Sequence, residues 1–142
     1  MELNLKNGID KLLFGMRQKD VIAIYGEPQK KIIDEDQNIL YIYNQQKWQL
    51  TFYEDEDFRL GYIVCANPEL TLFSNKIIGV PTDEVKAMLQ PKGLKTWELE
   101  EFDLVENYFN EDFWLVLQSE FGYVAKIDIG AIIKDDEFEW KF

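Results

Sequence analysis

The stretch Gly15-Met16-Arg17-Gln18-Lys19-Asp20-Val21-Ile22-Ala23-Ile24-Tyr25 decides the first reading of this chain. It returns further along as Gly79-Val80-Pro81-Thr82-Asp83-Glu84-Val85-Lys86-Ala87-Met88-Leu89. Gly, Val and Ala coincide, and an acidic residue precedes each Val. Val21, Ile24 and Tyr25 recur at the spacing of one helical face, as do Val85, Met88 and Leu89. Gly26-Glu27-Pro28 ends the first helix, since proline cannot continue it and restricts the residue before it. Gln90-Pro91-Lys92-Gly93 ends the second. Helices this short are marginal alone, so each needs a sheet to pack on.

Working outward, alternation marks strands over 30–34, 39–44, 47–53 and 58–66, and again over 94–98, 102–109, 113–119 and 122–129. A second match, Leu60-Gly61-Tyr62-Ile63 against Phe121-Gly122-Tyr123-Val124, follows in the same order. The expectation is one α+β domain over 1–142, with two tandem repeats of a short helix followed by antiparallel strands and the helices on one face of the sheet. The repeats span approximately 9–74 and 75–133, and 134–142 is a tail. The alternatives are a sandwich with helices at its ends, or chance similarity between two amphipathic segments.

The residues that carry the helix motif are Gly15, Met16, Asp20, Val21, Gly26, Glu27 and Pro28, then Gly79, Val80, Glu84 and Val85. This pattern resembles the repeat shared by the β-lactamase inhibitor protein and the small outer-membrane assembly lipoproteins. A tandem pair over nearly the whole chain is closer to the inhibitor, and the resemblance implies a protein-binding role. The chain departs from the pattern at Arg17 and Pro81, where related sequences carry a Ser or Thr helix cap, and its second segment lacks Gly-Glu-Pro. Thr82 is the residue placed to cap the second helix instead.

Composition narrows the chemistry. Among 142 residues there are 27 acidic and 15 basic side chains, a formal net charge of −12, no histidine and one cysteine, Cys65. Without histidine there is no Ser-His-Asp triad, Cys-His pair or imidazole base. One cysteine allows neither an internal disulfide nor a Cys-rich zinc cluster. The chain is therefore expected not to be an enzyme and to carry no cofactor or metal; the rival class is an acid–base enzyme built on spatially paired carboxylates. The charge disfavours nucleic acid and anionic membrane and suits a basic protein partner. With no apolar run near the length of a spanning helix, a cytoplasmic location is expected.

Two acidic segments stand out. Asp34-Glu35-Asp36-Gln37-Asn38 opens like a calcium loop, but Ile39 stands where Gly is needed and Gln45 where Glu is needed, so it reads as a polar hairpin turn. Glu54, Asp55, Glu56 and Asp57 form a run of four carboxylates between two strands. Either segment can dock on a basic surface. Cys65, within an apolar strand, reads as a buried thiol.

Aromatic residues make up 15% of the chain, more than a core of this size needs. If Leu40 and Ile42 face the core, Tyr41 and Tyr43 face outward. Alternation likewise turns Tyr53 and Trp114 outward. Aromatic anchors beside steering carboxylates make a protein-binding surface. The expected function is a small acidic inhibitor, an immunity protein that neutralises a cognate bacterial toxin by occlusion. Its partner-binding residues are Asp34, Glu35, Asp36, Tyr41, Tyr43, Tyr53, Glu54, Asp55, Glu56, Asp57 and Trp114. The rival is a non-catalytic envelope or assembly scaffold.

Overall fold

Burial along Trp48-Gln49-Leu50-Thr51-Phe52-Tyr53 alternates strictly, the signature of a strand with one face on a core. This strand, β6 (Trp48–Tyr53), lies inside a large sheet whose edge strands lose that alternation. The computed structural model describes residues 1–142. It opens with three two-residue strands, β1 (Leu3–Asn4), β2 (Gly8–Ile9) and β3 (Leu12–Leu13), then α1 (Gln18–Tyr25), β4 (Lys30–Ile33), β5 (Ile39–Tyr43), β6 and β7 (Arg59–Cys65). A short hairpin, β8 (Thr71–Leu72) and β9 (Asn75–Lys76), leads to α2 (Thr82–Leu89). Then come β10 (Glu98–Phe102), β11 (Val105–Asn110), β12 (Leu115–Glu120), β13 (Tyr123–Gly130) and a terminal hairpin, β14 (Ile133–Lys134) and β15 (Glu137–Phe138).

Eight strands form one antiparallel sheet in the order β10-β11-β12-β13-β7-β6-β5-β4. This corrects the expected α+β class of two tandem helix-then-strands repeats. The chain is mostly β, with 44% strand and 15% helix, and one sheet runs unbroken through the β13–β7 pairing. The helix-like segments that suggested a repeat are two eight-residue helices. What they share in sequence is what any short helix needs to bury one stripe on a sheet.

A single cluster of 26 buried apolar residues, from Leu3 to Ala131, fills one side of this sheet. Both helices lie on that side. Val21 of α1 is buried there, and Tyr25 meets Trp48 edge-on at 5.0 Å. From α2, Val85 and Leu89 enter the core, and Lys86 sits 4.2 Å above the Tyr108 ring.

The helix ends differ from expectation. At α1 the Asp20 carboxylate accepts the Arg17 backbone N–H at 3.0 Å, the half of a capping box that the acid supplies, while the half a Ser or Thr side chain would supply is missing. Gly26, at φ 80°, closes the helix through its N–H to the Ile22 carbonyl. Thr82 is the first residue of α2, preceded by Pro81, and does not cap it: its hydroxyl meets the Ser119 hydroxyl at 2.7 Å in the core. A proline at the cap position presents no side-chain acceptor, and Thr82 satisfies a buried partner instead.

Candidate functional site

Register decides which side chains the sheet offers to a partner. Tyr41 is opposite Leu50, and Tyr43 opposite Trp48. Both tyrosines therefore share the core face, at 2% and 1% exposure, and do not face outward. Leu40 and Ile42 take the outer face instead, half-buried. The physical reason is the phenol's polar end, which finds partners at the helix. The Gln18 amide donates to the Tyr41 hydroxyl at 3.0 Å, and the Tyr43 hydroxyl donates to the Gly26 carbonyl at 2.8 Å, where α1 ends. A large ring with its hydroxyl satisfied is as good a core residue as leucine. Tyr43 is correspondingly held up to about 12, chiefly by burial. These two residues leave the candidate surface.

Tyr53 and Trp114 do lie on the sheet face away from the helices, each flat against a glycine. A Cβ at Gly61 would come within 2.1 Å of the Tyr53 ring, and one at Gly130 within 2.1 Å of Trp114. Both rings are partly covered. Phe138 of the terminal hairpin packs on Tyr53 at 5.8 Å and stacks on Trp140 at 4.7 Å, while Phe109 meets Trp114 edge-on at 5.1 Å. Burial, then the nearby Asp55, raises the Tyr53 phenol to about 12.

The two acidic segments meet. Asp34 Oδ1 accepts the backbone N–H groups of Asp36 and Asn38, both at 2.9 Å, which shapes the β4–β5 turn. Asn38 Oδ1 then accepts the Glu54 N–H at 3.0 Å, binding that turn to the neighbouring β6–β7 loop. Glu54–Glu56 form one 3₁₀ turn, and Asp57 leaves it with φ 56°. Asp57 is paired with Arg17, its carboxylate 2.8 Å from the guanidinium. A depression of about 390 Å³ lies between the loops, lined by Asp36, Asn38, Tyr53, Glu54, Asp55 and Phe138. One end of the sheet thus presents Glu35, Asp36, Glu54, Asp55 and Glu56 around a half-covered aromatic pair. Asp34 and Asp57 serve as architecture.

A second polar group on the open face escaped the sequence reading. Asp128 on β13 accepts the Tyr62 hydroxyl at 2.6 Å and the Gln118 amide at 2.5 Å. Burial raises the Asp128 carboxyl above the usual range, and the two hydrogen bonds oppose that rise. Burial also pushes the Tyr62 phenol well up, reinforced by Asp128 itself. The one available signal was Asp128 between Ile127 and Ile129, an acid at an outward position of an apolar strand. Asp128 faces a phenol and an amide, so it does not form the carboxylate pair that acid–base catalysis would use. No group of three or more Cys, Asp or Glu side chains has a metal-holding arrangement. Cys65 is fully buried, and desolvation raises its thiol pKa, the opposite of an activated nucleophile. No helix is long and apolar enough to cross a membrane.

No family model matches this chain, and no curated protein does. Among solved structures, it is similar to an extracellular protein containing an SCP domain from Bacillus anthracis str. Ames, at 13% identity and a TM-score of 0.50. The match covers 80% of this chain and 42% of that one, so the chain spans less than half of that protein's length. It is also similar to a DUF4309 family protein, YjgB, from Bacillus subtilis subsp. subtilis str. 168, at 15% identity and a TM-score of 0.50, covering 80% of this chain and 77% of that one. At such identities the likeness concerns the fold alone.

Proposed function

We propose that this protein is a non-catalytic, protein-binding inhibitor whose partner is basic, of the kind an immunity protein represents. The observation that carries the reading is the meeting of two acidic loops, distant in sequence, at one end of the sheet beside Tyr53. Asn38 and Glu54 join them by a hydrogen bond. Seven carboxylates between Asp34 and Asp57 are gathered there with one cation, Arg17, paired to them. Opposite fields across such an interface raise the association rate and reject acidic competitors. Occlusion is the mechanism that needs least from this chain: a rigid sheet end covers the partner's working surface and supplies no chemistry.

The test is affinity capture from native lysate, followed by co-expression with the captured protein. A basic partner whose toxicity disappears on co-expression supports inhibition. Reversing Glu54, Asp55 and Glu56 to Lys should slow association at least tenfold at low salt, with an unchanged circular dichroism spectrum. An association rate indifferent to that reversal removes the acidic end from the mechanism.

A further inference from the structure

The sheet has two free edges, and they are chemically opposite. β4 at one end carries Lys30 and Lys31, and β10 at the other carries Glu98, Glu100 and Glu101. All five residues of β10 are exposed. An edge strand presents a row of unpaired backbone donors and acceptors, a template for one more strand. Around β10 the chain also leaves apolar side chains in solvent: Leu99 and Phe102 on the strand, Leu104 in the following turn at 69% exposure, and Phe121 on the neighbouring turn at 78%. Behind it, on the open face, a depression of about 390 Å³ is bounded by Glu98, Glu100, Asn107, Phe109, Val116 and Asp128.

We propose that the free edge of β10 is a docking strand for an extended basic segment of the partner protein, which adds to the sheet as a ninth strand. The inference rests on the basic partner proposed above and specifies how it is held. Backbone hydrogen bonds along β10 supply affinity, and alternate side chains supply selectivity. Glu98, in register with Phe109, and Glu100, in register with Asn107, share the open face. Basic side chains there meet carboxylates and the depression behind them. Leu99 and Glu101 share the other face. Lys30 and Lys31 oppose the same segment at β4, Lys31 in part offset by its pair with Glu27, whereas the charged side chains of β10 are all acidic. A second copy of this chain is disfavoured as the occupant, because each copy carries a net charge of −12.

Phe102 and Val105 close a two-residue turn. If they exchange both backbone hydrogen bonds, strand alternation points the amides of Leu99 and Glu101 outward, away from β11. The probe is the peptide acetyl-Thr-Arg-Val-Arg-Val-Arg-Thr-amide, titrated into the full-length ¹⁵N-labelled protein at low salt. The expected result is slowed hydrogen exchange and shifted resonances at Leu99 and Glu101, with no binding of the same peptide carrying Glu for Arg. Leu99→Pro removes an outward donor, which an edge strand tolerates, and should weaken binding at least tenfold. Should Leu99→Pro not fold, the double variant Glu98→Lys, Glu100→Lys carries the same expectation, whereas Lys30→Glu, Lys31→Glu should leave binding intact. No binding, binding that perturbs only 34–36 and 54–57, or concentration-dependent self-association abolished by Lys30→Glu, Lys31→Glu each overturns the proposal. Perturbation confined to 34–57 would overturn it while leaving the acidic-end reading standing.

Discussion

The Tyr62 hydroxyl on β7 donates a 2.6 Å hydrogen bond to Asp128 on β13, across the two strands that join the halves of the sheet. Asp128 is in register with Val64, two residues from Tyr62, so the bond runs diagonally over the open face. Its second carboxylate oxygen holds Gln118 on β12, tying three adjacent strands together. This is a part-buried polar network whose members satisfy one another, so breaking one bond leaves its partner unpaired.

The same network sets a pH dependence. Burial raises the Asp128 carboxyl above its ordinary value of 3.8 in the folded protein. The folded state therefore binds more protons than the unfolded state over that interval, and stability falls as pH rises through it. The contribution is fully present below about pH 3.8 and is lost as pH climbs past the raised value. Asp128→Asn should abolish this component. Thermal unfolding followed by circular dichroism should show the variant gaining on the wild type as pH rises above 3.8. A difference independent of pH would contradict the burial of this carboxylate.

Tyr43→Phe keeps the ring among Tyr25, Tyr41 and Trp48 but removes the bond to the Gly26 carbonyl. Loss of one such hydrogen bond with an acceptor left behind should cost about 1–2 kcal/mol in urea unfolding. Tyr53→Phe is the contrast: no protein partner holds its hydroxyl, so the same deletion should cost less than about 0.5 kcal/mol.

Gly61 and Gly130 are needed for close approach. Adding a methyl at either forces the ring above it away, an overpacking that should cost about 1–3 kcal/mol. Gly130→Ala should also shift tryptophan emission as Trp114 is displaced. In the Tyr53→Ala background, Gly61→Ala should lose most of its cost, because the clashing ring is gone. Additive effects in that double-mutant cycle would show that the ring does not account for the glycine.

At the start of α1, backbone and side-chain roles separate. Asp20→Ala frees the Arg17 N–H and should cost about 1 kcal/mol, in the range of lost helix caps. Arg17→Ala removes the ion pair with Asp57, whose side chain is 79% exposed, and should cost less than about 1 kcal/mol by chemical denaturation. The reverse order would mean that the pair, and not the cap, organises this corner.

Much of the local structure is written in local pattern. The i, i+3, i+4 spacing of Val21, Ile24 and Tyr25 and the stop at Gly26 are enough to specify α1. Strict alternation is enough for β6. The hairpin reading of Asp34–Asn38 follows from short side chains that bond their own backbone, and Asp34 does so. Other features depended on neighbours. β10 lies at 98–102 instead of 94–98, because an exposed edge strand has only one neighbour and needs no apolar face. The short strands over 3–13 carry too few residues to show any period.

The sequence by itself determined the chemical character of this protein: acidic, without histidine, with one thiol and many aromatic rings. It also determined where the two short helices lie and that strands follow each of them, since these rest on spacings of a few residues, but not the bounds of every strand. The tertiary structure alone decided that the strands form one sheet and not two repeats, and that Tyr41 and Tyr43 point inward. A one-residue choice of face reverses every side chain on a strand, and it is made by the partner strand's register and the helix above. The gathering of Asp34–Asp36 with Glu54–Asp57, and the Tyr62–Asp128 bond, were likewise decided by folding, because each joins residues whose proximity no local pattern encodes.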